Sequence, residues 1–118
     1  MIQPHNYPIN TAYHPATIGN GATKSAVIAL YGLELVGIIV PTSYDGSTLG
    51  LEISDSAAGS FHPVNDGSGQ VLSIPVVPGH YEPIAALSMI AGLSFIKLVA
   101  PVAQSGSDTV LTLALRHL

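Results

Sequence analysis

Ser94-Phe95-Ile96-Lys97-Leu98-Val99-Ala100-Pro101, then Val102-Ala103-Gln104-Ser105-Gly106-Ser107-Asp108, then Thr109-Val110-Leu111-Thr112-Leu113-Ala114-Leu115-Arg116, is the stretch that decides the fold class. In its last segment Leu111, Leu113 and Leu115 alternate with Val110, Thr112, Ala114 and Arg116, the period of two that lays one face of a strand on a core. In its first segment Ile96 and Leu98 share a face, and Phe95, Lys97 and Val99 take the other. Gln104 to Asp108 is turn chemistry, because Gly accepts positive φ while Asp and Ser bond nearby backbone. The stretch reads as one long β-hairpin, with Ile96, Leu98, Leu111 and Leu113 in the core.

Upstream, Ser25 to Tyr31 and Glu34 to Val40 read as strands. Strict alternation in the second puts Glu34, Val36, Ile38 and Val40 on one face and Leu35, Gly37 and Ile39 on the other, both largely apolar. Glu34 then has the inward parity, and either reaches the rim or meets Lys97 or Arg116 as a partner. After an Asp45-Gly46 turn, Thr48 to Ser54 alternates cleanly, with Leu49, Leu51 and Ile53 inward and Gly50, Glu52 and Ser54 outward. Turns at Asp55 to Gly59 and Asn65 to Gly69 lead into Ser60 to Val64 and Gln70 to Ile74. Strands at this spacing belong to a sandwich or barrel. Pro83 to Ala91 has room for one short helix or 3₁₀ turn.

Residues 1 to 24 carry Pro4, Pro8 and Pro15, which forbid a regular helix, and Gly19-Asn20-Gly21, which supplies a turn. One reading is a disordered terminus. The other is an extended arm whose Ile2, Tyr7, Ile9, Tyr13 and Ile18, too apolar for a solvated tail, engage a neighbouring subunit. The expected division is an arm over 1–24 and a sandwich over 25–118.

At 118 residues the chain has the size of one domain. Three Lys and Arg residues against seven Asp and Glu give a formal charge of −4, leaving no basic footprint for nucleic acid. Cysteine is absent, which excludes disulfide scaffolds, thiolate zinc sites and thiol nucleophiles. Met1-Ile2-Gln3-Pro4-His5 lacks the basic and apolar regions of a secretory signal. Charged residues make up only 8% of the chain, against roughly 25% in soluble domains. With 47% apolar residues, such a chain exposes apolar patches, and these mark contact sites.

Two environments would cover those patches. Ile84 to Ala103 is long enough to span a bilayer, but Pro83, Pro101 and Gly92, the lack of Trp and the lack of a Lys/Arg cluster argue against a small membrane protein. A permanent protein neighbour is the better expectation, with Leu35, Ile39, Phe95 and Val99 as the outer contact face and an oligomeric or docked state.

Side-chain chemistry points the same way. His5, His14, His62, His80 and His117 have no ligand-pair spacing, so no metal site is expected. Asp45 with Asp55, or Asp66 with Glu82, would serve glycoside chemistry if paired, yet Asp45, Asp55 and Asp66 lie in Gly- and Ser-rich turns where Asp is expected for backbone reasons. Ser56, Ser60 and Ser68 lack a nucleophile elbow, and no Lys follows Gly67-Ser68-Gly69 to make a phosphate loop. No catalytic residue and no cofactor is expected.

Gly37-Ile38-Ile39-Val40-Pro41-Thr42, Leu49-Gly50-Leu51-Glu52-Ile53-Ser54-Asp55, the Tyr81 to Pro83 connection, Leu93 to Leu98 and the terminal Thr109 to Arg116 occur in an order that resembles the head decoration, or cement, proteins of tailed bacteriophages. The chain differs from them in carrying Leu51 where an aromatic is commoner. The resemblance implies a virion structural protein on the capsid surface, with the major capsid protein and neighbouring copies of itself as partners and no cofactor. Together with the strand spacing it leads to an all-β expectation: an antiparallel β-sandwich of jelly-roll type with an extended N-terminal arm. A carbohydrate-binding sandwich is the alternative, with Tyr44, Phe61 and Tyr81 as its loop aromatics.

Overall fold

The computed structural model describes residues 11–84 and 95–116. Among them every regular element is a strand: β1 (Thr11–Ile18), β2 (Ile28–Ala29), β3 (Glu34–Ile39), β4 (Thr48–Ser54), β5 (His62–Pro63), β6 (Ile74–Pro75), β7 (Tyr81–Pro83), β8 (Phe95–Val99) and β9 (Thr109–Arg116). They form two antiparallel sheets. One has the order β1-β9-β3-β7 and is called here the β9 sheet; the other, the β4 sheet, has the order β2-β8-β4-β5, with β6 also on β4.

The pairings nest. β1 lies with β9, β2 with β8, β3 with β7, and β4 with β5 and β6. A chain paired this way is one ribbon folded back between β4 and β5, and successive rungs of the ribbon fall in alternate sheets. The β9–β3 and β8–β4 ladders then stitch the rungs together.

One core lies between the sheets. Ala16 and Ile18 of β1, Leu35 and Ile38 of β3, and Leu111, Leu113 and Leu115 of β9 join Ile28, Leu49, Leu51, Ile96 and Leu98 from the β4 sheet in a single buried cluster. The alternation predicted for Leu111 to Leu115 is observed, and Ile96, Leu98, Leu111 and Leu113 have no exposed surface. In Thr48 to Ser54, Leu49 and Leu51 are buried as predicted, while Ile53 is half-buried against the core and Ser54, expected outward, is buried. A core leucine of this kind is worth about 2–5 kcal/mol against alanine.

Four expectations change. The final stretch is not a hairpin, since β8 pairs with β2 and β4 while β9 pairs with β1 and β3. Alternation sets which face of a strand is buried, not which strand lies beside it. Here residues 100–104 bond to 21–23 instead: Ala100 N donates to Thr23 O, Gln104 N to Ala22 O, and Gly21 N to Gln104 O.

Thr11–Ile18, expected in the arm, is an edge strand matched to β9 from Thr11↔Arg116 to Ile18↔Thr109. Pro15 is compatible with this because an edge strand has one side without ladder partners, and His14 Nδ1 lies 2.7 Å from the Pro15 carbonyl oxygen. Residues 1–10 lie outside the described residues.

In β3 the register shifts between Leu35 and Gly37, a β-bulge. Glu34 and Ile39 therefore face outward and Leu35 and Ile38 inward, where strict alternation had placed Leu35 with Ile39.

Ser25 to Tyr31 contributes only the two residues of β2 and an isolated bridge from Ser25 to Ile18. The expected short helix and half of the membrane-length run fall in residues 85–94, outside the described set. Among the described residues no helix is long and apolar enough to cross a membrane.

Removing residues through Ile18 should therefore abolish cooperative folding or lower stability by several kcal/mol, because Ala16 and Ile18 leave the core and β9 loses its outer neighbour. Thermal unfolding followed by circular dichroism checks this. A truncated chain that melts at the full-length temperature would show that β1 contributes nothing.

Candidate contact face

The outer face of the β9 sheet is built by rows of directly opposed residues. One row runs Tyr81, Ile39, Thr112, Pro15; the next runs Pro83, Gly37, Ala114, Tyr13; a third pairs Val110 with Thr17. The Tyr81 ring lies across Gly37, where an added Cβ would fall 2.0 Å from the phenol oxygen, so glycine leaves the space the ring occupies. Ala114, between Tyr13 and Gly37, is buried although it lies outside the core cluster. Tyr13 (65%), Tyr81 (49%), Val110 (47%) and Ile39 (40%) remain exposed.

Charge on this face is confined to the end of the sheet, where Arg116 pairs with Glu34. The bulge explains the pair. It turns Glu34 outward, opposite Arg116 in the ladder, so a carboxylate read as inward-facing meets its cation at the rim.

The outer face of the β4 sheet is different. Lys24 Nζ lies 2.8 Å from Glu52 Oε2, Lys97 stands opposite Glu52, and Lys97 Nζ sits 4.6 Å from the centre of the Phe61 ring. One broad face of the protein is thus uncharged away from the Glu34–Arg116 end, and the other carries two of the three Lys and Arg residues.

The predicted contact residues are divided by this arrangement. Ile39 and Tyr13 lie on the uncharged face. Leu35 and Ile18 have no exposed surface and belong to the core. Phe95 and Val99 are half-buried on the outer face of the other sheet. Ile2, Tyr7 and Ile9 lie outside the described residues. Val110 was missed because it reads as one outward strand residue among several. The sequence signal for the face was the small residues Gly37 and Ala114, which leave room beside large ones. Of the three loop aromatics, Tyr44 is buried, Phe61 is half-buried under Lys97, and only Tyr81 is exposed, on β7.

At the opposite end of the molecule from the Glu34–Arg116 pair, the buried Gln104 side chain ties the crossover loops together. Its Oε1 accepts from Asp45 N at 2.9 Å and from Thr109 Oγ1 at 3.0 Å. Its Nε2 donates to Asp45 O at 2.9 Å and to Val102 O at 3.2 Å. Asp45 Oδ2 in turn accepts from Ser105 N and Oγ. In the same loop Tyr44 is buried with its hydroxyl donating to Thr48 O at 2.6 Å, and burial pushes its phenol up to about 12.

Two of the four acids considered for catalysis hold turns. Asp45 holds Ser105, and Asp66 accepts from the Ser68 hydroxyl and amide, which keeps its carboxyl below the usual range. Among the described residues no three His, Asp or Glu side chains gather as a metal site.

Comparison with models of protein families, with curated proteins and with solved structures finds no match. The fold itself defines an all-β protein of two antiparallel sheets with a sandwich-like core.

Two outcomes follow from the Gln104 end. Gln104→Glu puts a carboxylate oxygen against two backbone carbonyls, so stability should fall by at least about 2 kcal/mol. The loss should be larger near pH 7 than near pH 4, since only the protonated acid can donate. Denaturant melts at the two pH values measure it, and a variant as stable as the parent would remove the lock. For Tyr44, the native state holds the phenol proton while the unfolded chain releases it near pH 10, so stability should drop between about pH 10 and 12. Tyr44→Phe should abolish that part of the pH dependence; an unchanged alkaline profile would contradict the burial.

Proposed function

We propose that this chain is a virion structural protein of the decoration or cement type, docking on the outer surface of a bacteriophage head and stabilising it. Its partners are then the major capsid protein and neighbouring copies of itself. Three things support the reading: the motif resemblance, the ribbon-like nesting of strand pairs, which favours a jelly roll among two-sheet folds, and the contrast between the two outer faces. The observation that carries it is the uncharged face of Tyr13, Ile39, Tyr81 and Val110 on a chain short of charge. Contiguous exposed apolar surface marks a contact site. Burying it contributes about 25 cal/mol per Å², and many copies on one shell act together. Ile2, Tyr7 and Ile9, which precede β1, are the proposed tether to a neighbouring subunit.

A carbohydrate-binding role is the second reading, favoured by two exposed tyrosines, Tyr13 and Tyr81, on one face. Saccharide titration followed by tyrosine fluorescence separates it from protein docking.

Ile39→Asp and Val110→Asp place charges on the face without touching the core. Each should weaken attachment to heads lacking the protein by about tenfold or more, with the circular dichroism spectrum unchanged. Full occupancy by both variants would move attachment elsewhere on the molecule.

A further inference from the structure

The turn between β2 and β3 is strained at an exposed aromatic. Leu33 N donates to Leu30 O at 2.9 Å, and both central residues have positive φ, 51° at Tyr31 and 78° at Gly32. Two central residues with positive φ are the pattern that favours Asn-Gly, because a bulky side chain in the left-handed region is strained. Tyr31 is the one residue other than glycine with positive φ among the described residues. Its side chain is 88% exposed, so the strain brings no packing within the chain. Strain of this kind persists at binding sites.

The other half of the contact is a cleft of about 210 Å³ between the sheets, lined by Leu72, Ile74, Pro75, Pro83, Ile84 and Glu82. Its volume falls below the roughly 300–1,000 Å³ of small-molecule sites and suits a single side chain. The residues that line it are apolar but for Ser73 and Glu82. Glu82 stands opposite the inward-facing Ile38, and the two ion pairs among the described residues are Lys24–Glu52 and Arg116–Glu34, so among the described residues no cation pairs with it. A cleft of this chemistry takes an apolar body with one hydrogen-bond donor at its tip, which is the description of a tyrosine.

We propose that Tyr31 of one copy inserts into this cleft on a second copy, its hydroxyl donating to the Glu82 carboxylate. β2 and β6 lie on opposite sides of the β4 sheet, so the knob and the cleft stand apart on one molecule and meet between molecules. The contact is head-to-tail, joining two different surface patches, and closes into a ring when the rotation between copies allows. It does not rest on the capsid reading, since it concerns copies of this chain alone.

The test is sedimentation of the full-length chain at micromolar concentration, with thermal unfolding alongside. The wild-type chain should associate. Tyr31→Asn should relieve the turn, raise the melting temperature and leave a monomer. Tyr31→Phe and Glu82→Gln should each weaken association about tenfold or more, and the double variant should be no weaker than either single one. A monomeric wild type, a Tyr31→Asn chain that associates as the parent does, or additive effects of Tyr31→Phe and Glu82→Gln would each overturn the proposal.

Discussion

The side chain of Gln104 is the constraint on which the two-sheet arrangement depends. Three connections that carry the chain from one sheet to the other meet at its end of the molecule: β1 to β2, β3 to β4, and β8 to β9. Its amide reaches Asp45 in the second of these and Val102 and Thr109 in the third. Its backbone bonds Gly21 and Ala22 in the first. A buried primary amide has two donor hydrogens and an oxygen with two lone pairs, and all are used here. A fully satisfied polar group in a low-dielectric site favours one geometry over its near alternatives, and leaving it partly satisfied is costly.

From that anchor the faces follow. Thr109 begins β9 with its hydroxyl on Gln104, which sets the parity of the strand: Leu111, Leu113 and Leu115 turn inward and Val110, Thr112 and Ala114 outward. β9 has β1 on one side and β3 on the other, so its parity is passed to both neighbours through the ladders. The bulge in β3 adjusts the match, placing Glu34 beside Arg116 and Gly37 beneath the Tyr81 ring. The uncharged face is thus a product of register, assembled from residues distant in sequence.

Much of the fold was legible locally. Period-two alternation marked Leu49, Leu51, Ile96, Leu98, Leu111 and Leu113 as core because each strand buries one face whatever lies beside it. What alternation could not give was adjacency. Phe95–Val99 and Thr109–Arg116 look like partners in sequence, yet their true neighbours are remote, and nothing in either strand encodes the crossover. The bulge at Val36 defeated parity in the same way, since one extra residue moved Leu35 from the expected surface into the core. Pro15 misled in the opposite direction. A proline argues against a central strand but is compatible with an edge, and only the pairing with β9 distinguishes an edge strand from an arm. The contact face was legible in parts, through Ile39 and Tyr13, while its assembly with Tyr81 and Val110 required the register.

Native-state hydrogen exchange at the Asp45 amide tests the central claim most directly. That amide sits in a loop and donates to Gln104 Oε1. If Gln104 locks the crossovers into the cooperative unit, the Asp45 amide exchanges only through global opening, with protection matching that of the β9 core amides. Exchange at the rate of an exposed turn would contradict the lock and detach the loops from the architecture they are held to organise.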